Sequence, residues 1–324
     1  MSEDRSLEDL EEQILSLKQL NERNGLDLEQ EIAQLQEKLS QALEEKDKDV
    51  SDWERVKLAR RPDRPTTREY LEFMMDDFYE LHGDRVLGDD KALIGGLARF
   101  EGRTIVAIGQ QKGGDAEESK RCNFGMPRPE GYRKAKRLMG LAEQFDFPLV
   151  SFVDTPGAYP GKESEQHNIG GTIARCIAKM MTVEIPTVAL IVGEGGSGGA
   201  VAIAAADRVL IMENAIYSVI SPEGCSSILW KSDEKAEEAA QALKLTAPNV
   251  VELGVADELV EEGPQGAHED FETAASNLQG ALSRNLNDLL SEERDNLAEK
   301  RRERYLSLGR YRHIDRDEFN PALE

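Results

Sequence analysis

The sequence predicts an α/β fold, and three observations carry that prediction. Apolar runs of strand length recur at 93–99, 104–110, 148–153, 187–192, 208–212 and 215–220, each bounded by Gly, Pro or Asp. Helical patterns separate several of them. The runs are rich in Val and Ile, as expected of strands covered by helices on both faces. With 324 residues, 39% of them hydrophobic, the chain can bury a sizeable core.

Taken in order, the elements begin with Leu7, Leu10, Ile14 and Leu17, then Leu28, Ile32, Leu35, Leu39 and Leu43, at three- and four-residue steps. That period predicts two amphipathic helices. Asn24-Gly25 interrupts it, and Asp27 stands at an N-cap position three residues before Gln30, so a helical hairpin, coiled-coil-like, is expected over 1–52. Both packing onto the body and a subunit contact fit such a hairpin. A charged linker, 44–52, leads to Arg60-Arg61-Pro62-Asp63-Arg64-Pro65 and to a helix expected near 67–81, opened by Thr66 or Thr67. Further helices are expected at 129–145, about 169–181, 198–206, 222–230 and 232–245. Strands and helices together define one α/β domain over 53–267. A C-terminal helical extension, 268–324, carries Leu278, Leu282, Leu286, Leu289 and Leu290 on one face, then a charged stretch, 292–304, expected to be solvated.

With 63 acidic against 40 basic residues the net charge is −23, a field that repels phosphate backbones and anionic lipid. Nucleic acid and membrane surfaces are therefore poor partners. Solubility and adaptation to high salt both account for the acidity. No apolar run is long enough to span a bilayer, and Met1-Ser2-Glu3-Asp4 starts no secretory signal, so a cytoplasmic location is expected. Cys122, Cys176 and Cys225 are odd in number and about fifty residues apart, which fits reduced thiols. His82, His167, His268 and His313 are equally scattered, and no protein metal site is expected.

Three glycine-rich segments hold the chemistry. Asp154-Thr155-Pro156-Gly157-Ala158-Tyr159-Pro160-Gly161 follows the strand at 148–153, at the carboxyl end where open α/β sheets place ligands. Gly193-Glu194-Gly195-Gly196-Ser197-Gly198-Gly199-Ala200 follows the strand at 187–192 and opens a helix of small residues. Ser221-Pro222-Glu223-Gly224 is a helix start with Ser221 as N-cap. For the second segment three readings stand. Residues 193–198 match G-x-G-x-x-G, and Glu213 lies twenty residues beyond Gly193, as a dinucleotide site requires. The glycines also suit close helix packing. The third reading is an oxyanion site in which the amides of Gly198, Gly199 or Ala200, helped by the Pro156-Gly157-Ala158 turn, hold a negatively charged oxygen. No Walker A loop is present, because Glu163 stands where Ser or Thr must follow Lys162, and Ser197 and Ser221, read as lying outside any G-x-S-x-G and with no His near in sequence, give a hydrolase triad no support.

Gly109-Gln110-Gln111-Lys112-Gly113, Asn123-Phe124-Gly125-Met126-Pro127, Pro129-Glu130-Gly131-Tyr132-Arg133-Lys134-Ala135, Asp154 to Gly161, Gly193 to Ala200 and Tyr217 to Cys225 together resemble one family. It is the carboxyltransferase alpha subunit of bacterial acetyl-CoA carboxylase, and the likeness runs from about Trp53 to His268. The resemblance implies a crotonase-like spiral of ββα units and transfer of a carboxyl group from carboxybiotin on a carrier protein to acetyl-CoA, giving malonyl-CoA for fatty acid synthesis. It also implies a beta subunit in an α2β2 assembly that carries the zinc, and a biotin carboxylase that consumes the ATP. Activity is expected only with the beta subunit. By the same resemblance Gly198, Gly199 and Ala200 are the catalytic oxyanion donors, facing the biotin ureido oxygen. Gly157, Ala158, Lys112, Asn123, Tyr132 and Arg133 bind or position substrate. The chain departs from the family at Lys162-Glu163-Ser164-Glu165-Gln166-His167-Asn168-Ile169-Gly170-Gly171 and at Gly114.

Overall fold

The computed structural model describes residues 50–292 and 296–309, with Leu17 and Leu35. Apart from Leu17, Leu35 and residues 50–52, the expected N-terminal hairpin lies outside the described residues. The described chain begins with α1 (Asp52–Ala59), whose capping box is closed reciprocally by Ser51 and Glu54, and α2 (Thr67–Met74), capped in the same way by Thr66 and Glu69. β1 (Asp76–Glu80), β2 (Leu93–Phe100) and β3 (Arg103–Gln110) form an antiparallel meander. After α3 (Ala116–Arg121), a 3-10 turn at Asn123–Gly125 and the long α4 (Pro129–Gln144), β4 (Leu149–Thr155) returns parallel to β3.

The crossover repeats. Short α5 (Lys162–Gln166) and α6 (Ile169–Thr182) lead to β5 (Thr187–Gly196), and α7 (Ser197–Ala204) leads to β6 (Arg208–Met212). Then come β7 (Ile216–Ser218), α8 (Pro222–Trp230), α9 (Ala236–Leu243), α10 (Ala247–Glu252), β8 (Glu258–Val260), α11 (Phe271–Ser291) and α12 (Leu297–Ser307). The sheet order is β1-β2-β3-β4-β5-β6-β8, with β7 on β5. β5 is shared along its length: Val188 to Ile191 pair with β6, whereas Glu194 to Gly196 pair with β7. Its glycine half is thus held as strand up to the corner where α7 starts.

The expected strands at 93–99, 104–110, 148–153, 187–192 and 208–212 are present, each buried along most of its length. The last expected strand, 215–220, shrinks to Ile216–Ser218. The helix expected over 67–81 stops at Met74. Met75 is extended, and 76–80 pair instead with the edge of β2, Tyr79 opposite Leu97. The helix expected over 232–245 is confined to Ala236–Leu243. α1, α3, α5, α10, β1 and β8 are short elements that no periodicity announces.

α11 buries Leu278, Leu282, Leu286 and Leu289, and these join the same apolar cluster as the sheet. Tyr70 and Phe271 meet edge to face at 5.4 Å, docking α11 on α2. The charged stretch after 291 is not wholly solvated. Arg301 of α12 is buried, its guanidinium bidentate on Asp207 at 2.8 Å and also donating to the carbonyls of Met180, Val183 and Ile185. An arginine with every donor directed inward fastens this helix to the amino ends of β5 and β6.

Candidate oxyanion site

The carboxyl ends of β3, β4 and β5 converge on one corner. Beyond β4, Thr155 Oγ1 accepts the Gly157 amide at 3.0 Å and donates to the Gly157 carbonyl at 2.8 Å, shaping the turn. Gly157 has φ +145°, a backbone glycine alone adopts readily. The Gly157 amide is therefore spoken for, and Ala158 follows as the next donor of the turn.

Beyond β5, Gly196 is the N-cap of α7 and brings no capping side chain, so the first-turn amides of Ser197, Gly198 and Gly199 have neither an intrahelical acceptor nor a side-chain one. Ser197, at the turn itself, has φ +55°. Gly157, Ala158, Gly198 and Gly199 line one cavity of about 420 Å³, walled opposite by Val219, Ile220, Ser221 and Pro222. Ala200 does not line it. Its amide closes the first helical turn onto the N-cap carbonyl and its side chain is fully buried, so the donor set narrows to Gly198 and Gly199.

A second cavity of about 630 Å³ adjoins the first, sharing Arg60, Pro156 and Glu194. Lys112 lines it, yet its ammonium is committed: Nζ lies 2.8 Å from both Asp154 Oδ1 and Glu194 Oε2. Burial would lower the Lys112 pKa, but these two carboxylates outweigh it and hold it above the ordinary lysine value. For Glu194, burial would raise the carboxyl, and Lys112 and Arg60 together hold it below the usual range. Arg60 continues the chain of charges, 2.9 Å from Glu194 and 2.6 Å from Glu223 at the start of α8. The arginines of the proline-punctuated stretch are thus engaged by the protein itself, Arg61 by Asp63 and Arg64 by the buried Glu262 and the Val192 carbonyl.

The other expected substrate residues stand back from the cavities. Asn123 lies in the 3-10 turn and donates to the Met126 carbonyl at 2.9 Å. Arg133 donates to Asp84 and Glu130, each at 2.7 Å, and to the His167 carbonyl. Hydrogen bonds from the Val86, Leu87 and Gly88 amides and from Arg133 outweigh the desolvation of Asp84 and bring its carboxyl down to about 2. Tyr132 is fully buried, its hydroxyl without a hydrogen-bond partner and packed against Gly199. The segment 162–171, where the sequence departs from the family, forms α5 and the start of α6 and lines neither cavity; His167 Nδ1 there meets Glu130 at 2.9 Å.

The dinucleotide reading loses its geometry. Gly193, Gly195 and Gly196 lie inside β5 rather than in a phosphate loop, and the Glu213 carboxylate accepts the Glu262 amide across the sheet. Sequence reasoning also overlooked a spacing: Gly195, Ser197 and Gly199 do satisfy G-x-S-x-G, and the strand-to-helix corner with its left-handed Ser197 is the elbow that spacing marks. Among the described residues no histidine lines either cavity to act as a base for Ser197. Asp154, Glu194 and Gln110 were passed over as well. A lone Glu amid glycines and an Asp closing an apolar run were the available signals.

A family model described as acetyl co-enzyme A carboxylase carboxyltransferase-like matches residues 1–309. The acetyl-coenzyme A carboxylase carboxyl transferase subunit alpha of Bacillus velezensis is 44% identical over 93% of this chain and 93% of its own length. The chain belongs to this carboxyltransferase alpha-subunit family. The corresponding subunit of a Thermus thermophilus strain is 50% identical over 92% of this chain and 96% of its own. Among solved structures, the transcarboxylase 12S hexamer with methylmalonyl-coenzyme A is similar at a TM-score of 0.60 and 19% identity, covering 72% of this chain and 43% of that one. A Pseudomonas malonate decarboxylase hetero-tetramer in complex with coenzyme A gives 0.56 and 18%, over 68% and 89%. The likeness to these solved structures is one of fold, which is crotonase-like: a mixed sheet whose parallel strands β3 to β6 are joined by helical crossovers.

Proposed function

We propose that the chain is the alpha half of an acetyl-CoA carboxylase carboxyltransferase, passing a carboxyl group from biotin on a carrier protein to acetyl-CoA. The nitrogen-to-carboxyl bond of carboxybiotin breaks, a carbon-carbon bond forms at the acetyl methyl, and the methyl proton passes to the biotin ring nitrogen. Negative charge gathers on a ureido oxygen as the first bond breaks. The observation that carries the reading is that the Ala158 turn and the first-turn glycines of α7, Gly198 and Gly199, whose amides have no intrahelical or capping acceptor, line one cavity. Such donors strengthen as charge develops, which is the condition for accelerating the step, and one of them is worth about 2.7 to 4 kcal/mol of transition-state stabilisation.

Gly157 and Ala158 line the substrate side. Lys112, Asn123, Tyr132 and Arg133 act by holding the frame, since the bonds found for Lys112, Asn123 and Arg133 are to protein groups and Tyr132 is sealed inside. The remainder of the assembly follows from the family: a beta subunit carrying zinc and the acetyl-CoA half-site, an α2β2 stoichiometry, a biotin carboxyl carrier protein, and a biotin carboxylase that uses ATP. No described helix is long and apolar enough to cross a membrane, and the described residues contain no cluster of three His, Cys, Asp or Glu suited to a metal. A cytoplasmic location suits such an assembly. Segments 1–52 and 268–324 are read as accessory to the catalytic unit 53–267. The test is reconstitution: the chain with a beta subunit, carboxybiotin and acetyl-CoA should yield malonyl-CoA, and the chain alone none. A well-folded mixture that forms no malonyl-CoA would falsify the proposal.

A further inference from the structure

Gln110 ends β3 fully buried, directly beneath the corner where the two donor sets meet. Its Oε1 accepts the Asp154 amide at 3.1 Å, at the end of β4, and its Nε2 donates to the Gly199 carbonyl at 2.9 Å, in the first turn of α7. The orientation of the carboxamide is forced, because a backbone N–H can only donate and a carbonyl can only accept. The Gln110 main chain is itself held, its carbonyl accepting the Thr67 hydroxyl.

We infer that Gln110 is a positioning residue for carboxyl transfer, a strut that fixes the separation between the Ala158 turn and the Gly198 and Gly199 amides. The inference rests on the oxyanion reading above. Asp154 Oδ1 accepts the Glu194 amide at 2.9 Å and ties β4 to β5 before the corner, but α7 has no capping side chain to orient its first turn, and among the side-chain hydrogen bonds found it is the one from Gln110 that reaches that turn. Oxyanion donors act only when their separation suits the oxygen they receive, and a misplacement of about 1 Å can cost on the order of 10²-fold in rate. One buried carboxamide with one donor and one acceptor in use meets that need. A carboxylate cannot, having no proton to give Gly199, whereas a protonated carboxyl can make both bonds.

The experiment compares Gln110→Leu and Gln110→Glu in the reconstituted complex with the beta subunit, measuring kcat and the KM for acetyl-CoA against pH. Charged groups around the corner are Asp154 on β4, Glu194 on β5, Lys112 after β3, and Arg60 and Arg64 between α1 and α2, and the titratable Tyr132 hydroxyl lies on α4. Lys112 is held above its ordinary value and Glu194 below it, so the new carboxyl, its value lifted by burial beside Gly199, is the added group whose titration the profile reads. Q110L should lose about 10- to 100-fold in kcat with KM little changed. Q110E should be impaired at alkaline pH and recover as pH falls, an acid rescue absent from the parent protein and from Q110L. Folding is checked by co-elution with the beta subunit and near-UV circular dichroism. If Gly199→Val abolishes transfer while folded Q110L and Q110E keep the parental kcat and pH profile, the inference fails and the oxyanion reading stands. If folded Gly199→Val is itself fully active, the oxyanion reading fails and takes the inference with it.

Discussion

A Cβ placed on residue 199 would lie 2.8 Å from the hydroxyl oxygen of Tyr132 and 2.7 Å from the Ala158 nitrogen. Glycine at this position thus lets the helix start approach the β4 turn closely enough for both to face one cavity. Gly199→Ala should cost about 1 to 3 kcal/mol in stability, since a backbone nitrogen is one of the two clashing atoms. Pairing it with Tyr132→Phe should restore part of the loss, because removal of the hydroxyl frees one side. Urea unfolding of the single and double variants checks this, and a double mutant that is merely additive counts against the close approach.

The Lys112 ammonium holds Asp154 and Glu194 together, so Lys112→Met leaves two neighbouring carboxylates without their shared cation. A loss of about 3 kcal/mol is expected. The pH dependence has two limbs. Lys112, raised above 10.5, contributes stability that is fully present below that value and is lost as pH rises through its folded value. Glu194, lowered from 4.5, contributes stability present above that value and lost as pH falls through its folded value. Urea midpoints of the parent protein should form a plateau between the two, and K112M should lose the alkaline limb and flatten the acid one.

Arg301→Met removes the cation from a buried pair and leaves Asp207 and three carbonyls short of donors. The expected cost is about 3 to 5 kcal/mol, with faster amide exchange in α12. Exchange mass spectrometry showing α12 protected as before would contradict the anchoring role.

Burial pushes the Cys122 thiol up to about 11 and the Cys176 thiol up to about 12, and both are shielded, whereas Cys225 is half-buried. A chromogenic disulfide reagent at neutral pH should therefore modify Cys225 alone in the native chain and all three cysteines in denaturant. Rapid reaction of Cys176 without unfolding would show that the α6 face opens.

The candidate site was legible where chemistry is local. Gly157 and Gly198 could be picked out because glycine beside a strand end and a helix start narrows what the backbone can do there. Lys112 and Arg133 were visible as charges but not as partners of Asp154 and Asp84, since the first pairing depends on β3 lying beside β4 and the second on α4 packing against the loop between β1 and β2. Ala200 looked equivalent to its neighbours, and only the helix register showed that its amide is consumed. The overrun of the helix at 67–81 has the same origin: Phe73, Met74 and Phe78 suit a helical face, and only the free edge of β2 makes 76–80 a strand.

By itself the sequence settled the alternation of strands and helices, the glycine corners and the family, because buried periodicity and backbone permissiveness are properties of short segments. The tertiary structure alone decided which amides stay unpaired, that Lys112 bridges two carboxylates, and that Gln110 ties Asp154 to Gly199. Those relations join residues 40 to 90 positions apart, and a hydrogen bond over 3 Å exists only once the parallel register of β3, β4 and β5 has brought its ends together.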